Sequence, residues 1–149
     1  MQQPNGTDNP DDVTHQIIEL MFFAYRDFTA DPDDILQKLD FGRAHHRVLH
    51  FVNRKPGLTV AELLDVLRIT KQSLGRVLKQ LVDDNYIEQR EMPQDRRQRH
   101  LHLTAKGAEL IERLREPQSR RIKAALARSG ITPDEATRFL AAMQSAENG

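Results

Sequence analysis

The sequence predicts a mainly helical α+β chain, in which two short helices and a β-hairpin are set between longer terminal helices. Three observations carry that prediction. Two capped helical segments are separated by only Arg68, Ile69 and Thr70. Beyond Asn85 the hydrophobic period changes from helical to near-alternating. At both ends of the chain, apolar residues at helical spacing exceed what 149 residues can cover.

Taken in order, residues 1–12 are polar, with two prolines and an Asn-Gly pair, and read as a disordered arm. The next helix places Val13, Ile17, Leu20, Met21, Ala24 and Phe28 on one stripe, yet Ile18, Phe22, Phe23 and Tyr25 lie off it. A helix apolar almost all round needs cover from outside a small subunit, so a second copy is expected. Asp31 followed by Pro32 reads as the cap and first position of a new helix through about Leu39. Gly42 then punctuates the start of a helix from Arg43 to Asn53, which buries Val48, Leu49 and Val52 and stops at Lys55–Gly57.

Thr59 and Glu62 form a capping box that opens a short helix, Val60 to Leu67. Thr70 caps the next, Lys71 to about Asp84, whose apolar residues Leu74, Val77, Leu78, Leu81 and Val82 share one side. Its other side carries Gln72, Ser73, Arg76, Lys79, Gln80 and Asp83. Two helices, one short turn and a hydrogen-bonding face on the second make a helix-turn-helix. After it, Tyr86, Glu88, Arg90 and Met92 alternate onto one face of a strand, and His100 and His102 alternate with Leu101 and Leu103. Residues 93–98 between them hold a proline, an aspartate and no apolar side chain, which predicts a hairpin with a charged tip, a wing.

Thr104 caps a long helix with Leu110, Ile111 and Leu114 in its apolar positions; Pro117 is expected to kink or interrupt it before Gly130 ends it. The last helix opens at Thr132–Glu135 with Pro133 in its first turn, and its stripe is Ala136, Phe139, Leu140 and Met143. That stripe also lacks cover within one subunit.

Charge is neutral overall but unevenly placed. Residues 1–42 carry two basic and nine acidic side chains, whereas residues 68–106 carry nine basic and five acidic ones. A basic segment that coincides with a helix-turn-helix and its wing predicts a surface for double-stranded DNA. Arg76, Gln72 and Ser73 have the donors and acceptors that read base edges, and Lys79 suits a phosphate. Thr70 and Lys71, at the start of the same helix, join this set. On the thin hairpin, Arg96, Arg97 and Arg99 fit the negative potential of a narrow minor groove.

The order of parts resembles the MarR family of winged-helix transcription regulators over roughly residues 13–147. The most specific match is the wing signature of Asp95 and Arg97 followed by Leu103 and Thr104; "GLTVAELLDVLRITKQSLGRVLKQLVDDNYIEQ" and "LTAKGAELI" match the family's helix-turn-helix and post-wing helix. The resemblance implies a homodimer whose terminal helices interlock, with residues 13–40 and 108–147 as dimerisation region and 41–107 as DNA-binding domain. It implies that the helix from Lys71 enters the major groove and the wing arginine the minor groove, with Asp95 bracing Arg97 or Arg99. It also implies a small-molecule effector in a crevice bordered by Phe22, Tyr25, Phe41 and His46, whose binding releases a repressor from a pseudo-palindromic operator. Gly75 departs from the small polar residue common at its position.

Other functions are disfavoured. Absence of cysteine excludes disulfides, thiolate metal sites and cysteine redox sensing. His46 and His50 have the i, i+4 spacing of zinc ligands, with His15, His45, His100 and His102 as possible third ligands. No cysteine or carboxylate cluster completes such a site nearby, so no metal and no cofactor are expected. The pairs Asp11–Asp12 and Asp33–Asp34 sit at expected helix starts, where the helix dipole favours negative charge; with no nucleophile motif or phosphate-binding loop, an enzyme is not expected. Leu20–Tyr25, the longest apolar run, is far too short to span a bilayer, and no signal peptide precedes it, so a cytoplasmic protein is expected. A winged-helix protein-interaction module and a constitutive DNA binder without effector remain the alternatives.

Overall fold

The computed structural model describes residues 9–145. Its elements are α1 (Pro10–Lys38), α2 (Arg43–Arg54), β1 (Leu58–Thr59), α3 (Val60–Leu67), α4 (Lys71–Asp83), β2 (Ile87–Met92), β3 (Asp95–Leu103), α5 (Ala105–Ser129) and α6 (Pro133–Ala142). The strands form one antiparallel sheet in the order β1-β3-β2. This is the mainly helical winged helix-turn-helix architecture expected from the sequence.

Caps account for where the helices begin. Thr59 Oγ1 accepts from Glu62 N while the Glu62 carboxylate accepts from Thr59 N, closing the expected box at the start of α3. Thr70, Thr104 and Thr132 cap α4, α5 and α6 through their hydroxyls. Arg68, left-handed at φ 53°, ends α3 and turns the chain into α4 within two further residues. Thr104 does double duty: its hydroxyl also donates to Asn85 O at 2.6 Å, tying the start of α5 to the end of α4.

Two expected breaks do not occur. Helix α1 runs unbroken through Asp31–Pro32 instead of ending there, and begins at Pro10 with Asn9 as cap, inside the expected arm. Residues 1–8 of that arm lie outside the described residues. Proline inside a helix removes the N–H that would bond the carbonyl four residues back. Here that carbonyl belongs to Phe28, and Gln118 Nε2 of α5 donates to it at 3.1 Å. The lost intrahelical bond is thus replaced from another helix, and the Pro32 ring is buried. Helix α5 likewise continues through Pro117 to Gly130, whose left-handed φ of 73° closes it as expected.

The hairpin also differs in detail. Its turn is only Pro93 and Gln94, because Asp95–Gln98 already belong to β3. The register passes from Glu91↔Arg99 to Met92↔Asp95, so Arg96, Arg97 and Gln98 bulge from the ladder without partners on β2. Strand β1 has no counterpart in the sequence reading, since two residues are too short to show alternation. It pairs Leu58 with Leu101 and Thr59 with His100, and so fixes the wing base to the loop before α3.

One buried cluster joins these parts. Leu36 of α1, Val48, Leu49 and Val52 of α2, Leu63 of α3, Leu74, Leu78 and Leu81 of α4, Leu101 of β3, and Leu110, Ile111 and Leu114 of α5 all belong to it. The terminal helices behave differently. Val13, Ile17, Ile18, Leu20, Met21, Phe22, Phe23 and Tyr25 of α1 are exposed, Phe22 by 72%, as are Phe139, Leu140 and Met143 after the core ends. The stripes that outran the small subunit in the sequence are uncovered in the folded one.

Candidate nucleic-acid interface

The outward face of α4 is set by the inward one. Because Leu74, Leu78 and Leu81 are buried, Gln72, Arg76 and Lys79 must project on the opposite side, and all three are exposed, as is Lys71. Among the described residues, neither Gln72 nor Arg76 makes a side-chain hydrogen bond or ion pair, so their donors and acceptors are open to a ligand. Lys79 is partly committed: its Nζ donates to Asp83 one turn on at 2.7 Å, which holds its pKa above the ordinary lysine value. Thr70 and Ser73 use their hydroxyls locally, Thr70 Oγ1 accepting from Ser73 N at 3.0 Å and donating to Ser73 Oγ at 2.8 Å. Gln80, which the helical period places with the polar face, is tied inward to His45 and Asp40.

On the wing, Arg96, Arg97 and Arg99 are exposed, with the first two on the bulge and Arg99 across from Glu91. Asp95 is half-buried beside the turn and, among the described residues, forms no ion pair with Arg97 or Arg99 in this conformation. Lower on the hairpin, His100 Nδ1 donates to Gly57 O at 2.8 Å, while its buried Nε2 has no hydrogen-bond partner among the described residues. Among the described residues no group of three or more potential metal ligands is found.

A separate cleft of about 320 Å³ lies between α1, α2 and α5, lined by Tyr25, Phe28, Asp33, Arg43, His46, His50 and Gln118, among others. It brings together Tyr25 and His46 of the expected crevice. The other two residues assigned to that crevice lie elsewhere. Phe22 projects to the outside of α1, and Phe41, only 5% exposed, is in the core, stacked on His45 at 4.6 Å and edge-on to Tyr86. The lining residues absent from the sequence reading of this crevice include Arg43, which bonds Asp33 at 3.4 Å and sits over the Tyr25 ring, and His50, one turn from His46. The i, i+4 histidine spacing is the signal for His50, which lines the same cleft as His46.

Burial holds the His46 imidazole below the ordinary histidine value of 6.5, with repulsion from His50 adding to it and Asp33 opposing. His50 is lowered for the same first reason, with Arg54 adding to it. The unfolded chain therefore binds these protons at a higher pH than the folded one, so stability is full above about pH 6.5 and falls as pH drops from there toward the lowered native values. Melting temperatures at about pH 7.5 and about pH 5.5 should differ more for the wild type than for His46→Phe, and equal differences would remove His46 from the balance.

Comparison with known proteins places this arrangement. Residues 39–98, the helix-turn-helix and most of the wing, match the MarR family. The chain is 57% identical over 120 residues to the HTH-type transcriptional regulator PetP of Rhodobacter capsulatus, spanning 80% of this chain and 72% of that one. The chain belongs to the MarR family. Members of this family are helix-turn-helix transcription regulators that bind DNA, and α3, α4 and the β2–β3 wing are the parts of this MarR-family chain that make up the motif. Solved structures agree on the fold. A single-residue mutant of MepR from a multidrug-resistant Staphylococcus aureus clinical isolate superposes with a TM-score of 0.71 at 19% identity, covering 86% of this chain and 97% of that one. A second S. aureus MepR mutant, bound to an oligodeoxyribonucleotide, gives 0.62 at 20% identity, covering 86% and 98%. No helix among the described residues is long and apolar enough to cross a membrane.

Proposed function

We propose that this MarR-family protein is a cytoplasmic, non-enzymatic repressor that binds a pseudo-palindromic operator as a homodimer, with α4 in the major groove and the wing against the adjoining minor groove. The observation that carries the reading is the exposed pair Gln72 and Arg76, without side-chain partners among the described residues, on the outward face of a family helix-turn-helix. Gln to adenine and Arg to guanine are the favoured bidentate pairings. Lys71, Lys79, Arg96, Arg97 and Arg99 supply phosphate and minor-groove contacts around them, while Thr70 and Ser73 fix the N-terminus of α4, whose backbone N–H groups suit a phosphate. The bulge that frees Arg96 and Arg97 from the ladder lets them extend from the tip. A MepR mutant that shares the fold is bound to an oligodeoxyribonucleotide, which supports DNA as the partner.

The uncovered apolar faces of α1 and α6 support a homodimer, built from residues 13–40 and 108–147 around DNA-binding units of residues 41–107. Two-fold symmetry in the protein then calls for an inverted repeat with half-sites about one helical turn apart. The cleft between α1, α2 and α5 is the place for a small effector, because it joins the dimer helices to the DNA-binding unit.

Selection of bound duplexes from a random-sequence pool tests this reading. The wild type is expected to enrich an inverted repeat; enrichment of a single unpaired half-site would reject the dimer, and no enrichment at moderate salt would reject sequence reading.

A further inference from the structure

The outward face of α4 holds one polar residue that faces inward, and its partners form a continuous network. His45 lies in the first turn of α2, where its Nδ1 accepts from Gly42 N at 3.0 Å. A backbone N–H can only donate, so the imidazole proton is on Nε2. That nitrogen is 2.8 Å from Gln80 Oε1, and Gln80 Nε2 donates to Asp40 O at 3.1 Å. Both ends of the Gln80 amide are therefore used, and their polarity fixes which way the amide points. Asp40 itself has φ of 60°, so its carbonyl belongs to no helix and takes its donor from Gln80. The His45 ring is clamped from below by stacking on the buried Phe41.

Apolar packing alone does not set the angle of a helix closely. Burial of Leu74, Leu78 and Leu81 is non-directional and tolerates small rotations of α4 about its axis. Hydrogen bonds are directional, and a pair of them from the last turn of α4 to a neighbouring turn removes that freedom. Gln80 is also one turn from Arg76, and the two share a shallow cleft with His45, Ser73 and Val77. On its other side the first turn of α2 is held to α1 by Arg43 and Asp33. The network thus refers α4 to the rest of the subunit at the level of the Arg76 side chain.

We infer that His45 and Gln80 are positioning residues for DNA reading: they touch no base, but hold α4 at the angle from which Gln72 and Arg76 reach base edges. The inference rests on the proposal that α4 reads DNA. Bidentate contacts need their donors placed within roughly half an ångström, so loss of the network costs sequence discrimination before it costs stability or general attraction to phosphate.

The test measures dissociation constants of the full chain for a selected operator duplex and for a scrambled duplex of the same length, together with melting temperature. Gln80→Met removes both bonds and keeps the volume; His45→Phe keeps the stack on Phe41 and removes both ring nitrogens. Each is expected to lower the operator-to-scrambled affinity ratio by about tenfold, with scrambled-duplex affinity and melting temperature near wild type, and the double variant to lose no more than either single one. An unchanged ratio, an additive loss in the double variant, a loss equal on both duplexes, or failure of both variants to fold would each overturn the positioning role. If the wild type itself prefers no duplex, the DNA-reading proposal fails and takes this one with it. Discrimination by the wild type and equally by both variants rejects the positioning role alone.

Discussion

Arg76→Ala should weaken binding to the selected operator by about 5- to 150-fold, the equivalent of the ~1–3 kcal/mol that a bidentate arginine–guanine pair contributes. Arg76 is open to a ligand. Other arginines of the chain are paired, Arg115 with Glu112, Arg120 with Glu116 and Arg121 with Asp31, whereas among the described residues the Arg76 guanidinium has no carboxylate partner. It is exposed at the middle of α4, on the side opposite the buried leucines, so truncation removes no packing and should leave the melting temperature unchanged. The loss should also be selective: affinity for a scrambled duplex falls little, and specificity relaxes at one base position of each half-site. Lys71→Ala gives the contrast, a similar loss on every duplex with a shallower salt dependence, as for a side chain that meets phosphate. Titrations of both duplexes at several salt concentrations measure this. An Arg76→Ala protein that loses operator and scrambled affinity in the same proportion would make Arg76 a phosphate contact and remove base reading from it.

The second large effect concerns Gly107, near the start of α5. A glycine-to-alanine change inside a helix ordinarily stabilises by up to about 1 kcal/mol. Here the sign reverses, because a Cβ at Gly107 would run into Tyr86 O and stand 3.1 Å from Tyr86 C. The obstacle is backbone and cannot rotate away. Tyr86 O also accepts from Thr104 N, and Lys106 from the same turn donates to Asp84 O and lies over the Tyr86 ring. Moving Tyr86 would disturb the whole junction of α4, β2 and α5. Gly107→Ala should destabilise the fold by roughly 1–3 kcal/mol, as for other overpacked sites. Gly75→Ala is the internal control, since a Cβ there meets nothing within 4 Å and the ordinary gain should appear. Denaturant midpoints for the two variants should move in opposite directions; a stabilised Gly107→Ala protein would show that α5 can shift without consequence.

Much of this is legible in the residues alone, and the reason is that the signals are local. Thr59 with Glu62, Thr70, Thr104 and Thr132 with Glu135 each cap a helix through atoms within three residues, so the starts of α3 to α6 can be read directly. The apolar face of α4 and the unmatched faces of α1 and α6 follow from spacing. What cannot be read depends on partners far along the chain. Pro32 resembles a helix start until Gln118 replaces its missing bond. Gln80 shares the helical period of Arg76, yet its partners His45 and Asp40 lie 35 and 40 residues away and turn it inward. The family resemblance assigns Phe41 to the ligand crevice; its stacking against His45 and edge-on contact with Tyr86 place it in the core instead. Hairpin length is hidden because a charged segment reads as loop even where, as at Asp95–Gln98, it is a bulged strand.

The continuity of α5 through Pro117 has a mechanical meaning. Its first turns are embedded in the core with Leu110, Ile111 and Leu114, while its far half, with Ile122, reaches outward beside the exposed part of the molecule. At 1.5 Å per residue its 25 residues span about 37 Å. Tilting such a helix by roughly 5° at one end carries the other about 3 Å, a distance comparable to the length of a hydrogen bond. A break at the proline would have absorbed that tilt as local bending. For a protein that reads bases with α4, as proposed, an unbroken α5 is a lever: an adjustment among its outer turns would arrive at the helix-turn-helix as a displacement large enough to decide whether a side chain meets its base.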